Sequence, residues 1–224
     1  GEKYICQKHP PDSIPERTVS DINSKKMGKQ TVCFANPPCV IGSACVAGKK
    51  ESEGPYANSF DYCSDDTTFG EKTWEKAESR MQKDALMRAL DKAGINLSAL
   101  EYIVAGDLLN QCIGSSFGLR ETNVPFLGIS SACSTMAESL GLAAMLIDGG
   151  FAAYAAALTS SHFCTAERQY RMPLEYGGQR TPTAQWTVTG AGAVVLSDKD
   201  APPYVTHVAT GRIVDLGVKD AANM

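Results

Sequence analysis

The stretch Ser130-Ser131-Ala132-Cys133-Ser134-Thr135-Met136-Ala137-Glu138-Ser139-Leu140 places a cysteine where an extended run turns into a helix. Upstream, Val124-Pro125-Phe126-Leu127-Gly128-Ile129 is short, apolar and broken by Pro and Gly, the pattern of a buried strand. Downstream, Thr135 and Glu138 have the spacing of a capping box. Leu140, Ala143, Ala144 and Ile147 then keep a helical period as far as Gly149-Gly150. Cys133 therefore stands at the mouth of a helix N-terminus, where backbone N–H groups and the helix dipole activate a thiol and attract anions. That position suits a nucleophile, and it suits the docking of a carboxylate equally well. The competing role is that of a small buried hydrophobe, the usual fate of a free cysteine. The strand-to-helix setting and the Ser/Thr-rich surroundings favour a site.

The rest of the chain extends the alternation. Residues 1–27 are polar and Pro-containing without periodicity, so they read as a disordered extension, with Met27 a candidate start. Thr31–Phe34 and Val40–Val46 are strand-like, and Lys49–Glu71 is an acidic, Gly/Ser/Asp-rich loop of the kind that packs over a site or a partner surface. Trp74–Ala93 carries Ala77, Met81, Ala85, Ala89 and Ala93 on one stripe, with Leu86 and Leu90 beside it and Gly94 as the stop. It reads as a core helix whose charged residues face outwards. Tyr102–Gly106 is a buried strand that delivers Asp107 and Asn110 to its carboxyl end, where ligands bind in parallel sheets. Asp107 can equally serve as the cap of the next helix. Ala152–Leu158 is short and follows two glycines, so it reads as a strand buried on both faces, bringing Thr159-Ser160-Ser161-His162 to the same edge as Cys133. An irregular segment from Thr165 to Gln185 carries Glu167, Arg168, Arg171, Glu175, Tyr176 and Arg180. Thr187–Ser197 and Tyr204–Thr210 read as an antiparallel hairpin. The order is that of an α/β fold, a layered mixed sheet with helices.

Composition narrows the chemistry. A net charge of -4 gives no footprint for nucleic acid. Eight cysteines occur without a C-x-x-C pair and the three histidines lie far apart, so no zinc spacing is present and no cofactor is expected. Free thiols point to a reducing, intracellular compartment, and no apolar run is long enough to span a bilayer.

A cysteine on a strand-to-helix turn in this order resembles the first half of the thiolase superfamily. More specifically, Ala105-Gly106-Asp107-Leu108-Leu109-Asn110-Gln111, Ala132-Cys133-Ser134-Thr135, Leu146–Phe151, Thr159–His162, Thr165–Gln169 and Glu175–Gln179 are similar to the stage V sporulation protein AD family. The resemblance runs over 28–224. It implies a thiolase-like N-terminal half, the first of two similar halves, that binds dipicolinic acid (pyridine-2,6-dicarboxylate). It further implies work with membrane-embedded sporulation proteins in uptake of that ligand into the developing spore, peripheral to its inner membrane. The second half, which in thiolases supplies a catalytic His and a second Cys, is missing, so the chain reads as a fragment with an uncovered face and a tendency to form a homodimer.

The expected site comprises Asp107, Asn110, Cys133, Ser134, Thr159, His162, Arg168 and Arg171, with Cys133 at the superfamily's nucleophile position but not catalytic. Dipicolinate needs donors at two ends and a flat slot between them. The helix after Cys133 suits one carboxylate, and His162 with Arg168 or Arg171 suits the other. Both arginines have a plainer use in surface ion pairs with Glu167 or Glu175. The alternative function is an acyl-CoA-dependent acyltransferase or condensing enzyme with Cys133 as nucleophile and His162 as the base.

Overall fold

The computed structural model describes residues 25–170 and 187–219. Its main sheet has six strands: β3 (Cys39–Ala47), β4 (Tyr62–Cys63), β5 (Tyr102–Gly106), β6 (Phe126–Gly128), β7 (Tyr154–Ser161) and β8 (Gly190–Ser197). Their spatial order is β4-β3-β8-β7-β5-β6. β8 runs antiparallel to both its neighbours, and every other pairing is parallel. Three short strands, β1 (Lys26–Met27), β2 (Thr31–Cys33) and β9 (His207–Ala209), form a separate antiparallel sheet. The helices are α1 (Lys49–Ser52), α2 (Trp74–Ala93), α3 (Ile113–Leu119), α4 (Thr135–Asp148) and α5 (Phe163–Tyr170).

The two long helices cover opposite faces of the sheet, because adjacent residues on a strand point to opposite sides. Ile103, Ala105, Ala156 and Leu158 pack with Met81, Leu86 and Leu90 of α2. Val104, Ala155 and Ala157 pack with Ala143, Ala144 and Ile147 of α4. Ala155 to Leu158 are all fully buried, as expected of a strand covered on both faces. Side chains such as Met81, Leu86 and Ile103, fully buried, each contribute about 1.5–3 kcal/mol of burial energy. Thr73 caps α2 by accepting the Lys76 N–H at 3.3 Å, and Gly94 ends it at φ 66°. Gly42 is required where α2 crosses β3, since a Cβ there would strike the Ala89 carbonyl.

Five expectations change. The strands at the C-terminal end do not form a hairpin: both edges of β8 are occupied by β7 and β3, so β9 joins β2 instead. Val208 of β9 lies over α4 at Gly141, where a Cβ would come within 3.0 Å of it. Lys25–Met27 are not a loose extension, for β1 pairs with β2 and Lys25 binds Asp148 at 2.6 Å. The acidic loop contains α1 and β4, and Thr165–Tyr170 belong to α5. The ionisable residues are not confined to the outer face of α2 either, because Glu78 is fully buried, with the polar Gln82 one turn on. The 1–24 extension, Arg171, Glu175, Tyr176 and Arg180 lie outside the described residues, as does the side chain of Arg168.

Candidate functional site

The parallel strands all end on one edge of the sheet, which gathers Gly48, Ser64, Asp107, Ile129 and His162. This is where a parallel sheet offers space to a ligand. Cys133 lies there, exposed, in a single 3₁₀ turn (Ala132–Ser134) that runs directly into α4. The first bond of the turn is from the Ser134 N–H to the Ser131 carbonyl, 3.0 Å, so the Ala132 and Cys133 N–H groups precede the helical ladder. Ala132 holds φ 45°, a left-handed conformation costing about 1–2 kcal/mol for a residue with a side chain.

The expected capping box is absent. Ser134 precedes α4 without a side-chain cap and donates its hydroxyl back to the Ser131 carbonyl at 2.9 Å. Thr135 is already helical, and its buried Oγ1 has no hydrogen-bond partner. The continuous passage from 3₁₀ turn to helix leaves no extended residue to act as the cap. Gly106 sets how closely this turn approaches the sheet: a Cβ would strike the Ile129 carbonyl and come within 2.8 Å of Thr135 Cγ2. Thr159, half-buried, pairs with Gly106 in register and so lies on this same α4 face.

Asp107 faces the other way. Only 3% exposed, it accepts the Leu109 N–H at 2.9 Å on Oδ1, and the Ser115 N–H and hydroxyl at 2.7 and 2.6 Å on Oδ2. It braces the β5–α3 loop and the start of α3, which is the capping role weighed above. Asn110 is exposed on that loop. Gln111 and Cys112 follow at φ 56° and 52°, and Cys112 Sγ reaches the Ile129 carbonyl at 3.3 Å, tying the Asp107 loop to the Cys133 turn. Burial, with Asp107 second, pushes the Cys112 thiol above its ordinary pKa of 9.0. Nothing in the sequence marked Cys112.

His162 is fully buried and does not meet Asp107. Its Nδ1 accepts the Cys164 N–H at 3.2 Å, which places the proton on Nε2, and Nε2 donates to the Thr67 carbonyl at 2.7 Å. The acidic loop does lie over this residue. Desolvation holds the imidazole below its usual 6.5. With both nitrogens engaged, His162 offers neither a base to a thiol nor a donor to a carboxylate.

Beneath this edge runs a buried polar network. Glu78 Oε1 accepts the Ser160 hydroxyl at 3.1 Å, and its Oε2 lies 2.8 Å from the Thr165 hydroxyl. Gln82 Nε2 reaches Ser115 Oγ at 3.0 Å and Ser160 Oγ at 3.4 Å, joining Glu78 to Asp107. A sequence signal for it existed: stepping back by four from Leu90 and Leu86 lands on Gln82 and then Glu78.

The structure thus brings Cys133, Ser134 and Thr159 to the α4 face, puts Asp107 and His162 among the groups on the α2 side, and leaves Asn110 on the rim. A cleft of about 240 Å³ opens beside the Thr67 lip, lined by Lys49, Lys50, Thr67, Phe163 and Thr189 among others. A groove of about 660 Å³ between α2 and α3, with Arg80, Met87, Phe117 and Arg120, contains none of the expected site residues. Among the described residues no group of His, Cys, Asp and Glu gathers to hold a metal ion, and no helix is long and apolar enough to cross a membrane.

Known proteins resemble this chain in sequence and in fold. Stage V sporulation protein AD of Bacillus subtilis (strain 168) is 43% identical over 200 residues, covering 89% of this chain and 59% of that protein. The chain therefore spans about three fifths of the length of that relative. The crystal structure of 3-oxoacyl-[acyl-carrier-protein] synthase III from Aquifex aeolicus VF5 superposes with a TM-score of 0.50 at 16% identity, over 73% of this chain and 55% of that one. The priming β-ketosynthase of the R1128 polyketide pathway gives a TM-score of 0.49 at 17% identity, over 79% and 54%. The first of these two likenesses establishes the fold as thiolase-like and nothing of the chemistry. The sequence pattern of the Stage V sporulation protein AD family matches residues 28–224, and this chain belongs to that family.

Proposed function

We propose that this chain carries a non-catalytic, thiolase-like binding site for dipicolinic acid, used in uptake of that ligand into the developing spore. In this reading the protein works peripherally at the spore's inner membrane with membrane-embedded partners of the same complex, and a second copy is a further partner. One observation carries the choice of binding over catalysis. Among the described residues no histidine is hydrogen-bonded to Cys133, and His162, the base that acyl transfer would need from this part of the fold, has both nitrogens engaged elsewhere. Covalent catalysis through a thiol requires a base within hydrogen-bond reach. The exposed turn at Cys133, with two N–H groups ahead of the ladder, instead suits one carboxylate of a planar dianion. Arg168 and Arg171 are proposed for the other end.

Calorimetric titration of the chain with dipicolinate, beside acetoacetyl-CoA as control, tests this. Saturable binding of dipicolinate that Cys133→Asp weakens most, with no acyl-enzyme in the mass spectrum, is expected. A thioester on Cys133 overturns the non-catalytic reading. Equal dipicolinate affinity in the wild type and Cys133→Asp moves the ligand elsewhere along the edge, the Lys49–Phe163 cleft being the next seat.

A further inference from the structure

Glu78 is a carboxylic acid with no exposed surface, and no basic group contacts it among the described residues. From β7 comes the Ser160 hydroxyl, from α5 the Thr165 hydroxyl, and from the end of β5 the Asp107 carboxylate; Glu75 adds a second negative charge from α2 itself. His162, at the β7–α5 junction, is neutral and bound to the Thr67 carbonyl. Burying a lone carboxylate beside two others is costly, whereas a neutral acid is at home there.

The hydroxyl of Thr165 decides which form the contacts fit. It has one proton and lies within reach of two acceptors, Glu78 Oε2 at 2.8 Å and the His162 carbonyl at 2.9 Å. If Glu78 is ionised, that proton satisfies only one of them. If Glu78 is protonated on Oε2, the acid donates to Thr165 Oγ1 and Thr165 donates to His162, so both contacts are made. Ser160 donates to Oε1 in either case, and Gln82 Nε2 supports it from behind.

We propose that Glu78, as a neutral acid, is a positioning residue that latches the first turn of α5 to the core through Thr165, and so sets the placement of α5, the helix of the Arg168 proposed above for the ligand. When the latch opens, Glu78 meets water and gives up its proton to solvent. Thr165 then loses its place between acid and carbonyl, and the turn is freed. The ligand half of the statement rests on the dipicolinate reading, and the latch itself does not. Desolvation, reinforced by Asp107 and Glu75 and opposed by the Ser160 hydroxyl, pushes the Glu78 carboxyl from 4.5 to about 7 in the closed form.

Hydrogen exchange of the α5 amides, corrected for intrinsic rates, tests the latch on the whole chain without ligand. Opening releases a proton between the two pKa values, so the opening equilibrium should rise towards tenfold per pH unit from about pH 5 to 7 and level off above it. Glu78→Gln, isosteric and permanently neutral, should remove this rise. Thr165→Val, which removes the hydroxyl that the neutral acid donates to, should raise the α5 opening equilibrium severalfold below about pH 5, where Glu78 stays protonated, and unchanged opening there overturns the latch. A flat wild-type profile, or a Glu78→Gln profile with the wild-type slope, overturns the latch. Dipicolinate titrations on the same proteins read the second half: affinity should fall over the same pH range in the wild type and not in Glu78→Gln. Absence of binding at every pH, with the exchange profile as expected, defeats the ligand reading and leaves the latch standing. Binding whose pH profile is the same in both proteins refutes the link from latch to ligand.

Discussion

Asp107→Asn separates a structural brace from a ligand group. The carboxylate serves three donors with two oxygens: the Leu109 N–H on one, and the Ser115 N–H and hydroxyl on the other. Asparagine has one oxygen and one NH₂. With its oxygen towards Ser115, the NH₂ meets the Leu109 N–H, donor against donor; with the amide turned round, the Ser115 N–H loses its acceptor. Either way one buried backbone N–H is orphaned, at about 1–3 kcal/mol, and the surviving bonds lose their charge assistance. The sum is a loss of about 2–4 kcal/mol, from a side chain only 3% exposed. Part is returned, because Asp107 is one of the charges that raise Glu78, and neutralising it eases that strain. Urea unfolding of wild type, Asp107→Asn and Asp107→Ala measures it, read beside dipicolinate titration of each. If Asp107→Asn unfolds within about 0.5 kcal/mol of wild type while dipicolinate affinity changes strongly, the brace is refuted and Asp107 contacts the ligand directly.

Three further outcomes follow from particular contacts. Gly106→Ala drives a methyl into the Ile129 carbonyl, so it should cost about 1–3 kcal/mol in a thermal or urea melt and alter the rate at which the exposed Cys133 is alkylated; an unchanged melt and rate would show that the turn gives way freely. Asp148→Ala removes the acceptor of the Asn36 N–H and the partner of Lys25, and should lower stability by about 1–2 kcal/mol while speeding proteolysis near residue 25; equal proteolysis would mean that β1 is held by its pairing with β2 alone. For Glu78 the sign of the pH dependence is fixed by the direction of its shift. The unfolded chain releases this proton near 4.5 and the fold keeps it to about 7, so the native state binds the extra proton and stability falls as pH rises between those values. At ~1.4 kcal/mol per pH unit the whole fall is about 3 kcal/mol, levelling above 7, and Glu78→Gln should abolish it; a wild-type curve that rises with pH over this range would contradict the burial of a neutral acid.

Several elements were decided by local order alone. The α2 helix from Trp74 to its Gly94 stop follows from a 3.6-residue apolar period, and β7 follows from an apolar run too short to be a helix after two glycines. The turn that exposes Cys133 and the carboxyl edge on which it stands follow from the same order of strands and helices. What needed the tertiary structure is the side of the sheet each residue serves. Asp107 and Gly106 are adjacent, yet one braces α3 on the α2 side and the other admits the Cys133 turn on the α4 side, because strand residues alternate faces and a loop's hydrogen bonds are closed by distant partners. His162 reached the expected edge, but the Thr67 carbonyl, 95 residues away in sequence, claimed its Nε2. β9 left β8 because β3 and β7 had already taken both of its edges. Glu78 was counted with the solvated face of its helix, since a helical period shows which residues share a stripe and not how wide the covered stripe is. That width was set when β7 and α5 closed over it with two hydroxyls, and only their placement decides whether the carboxyl there is an ion in water or a neutral acid in the core.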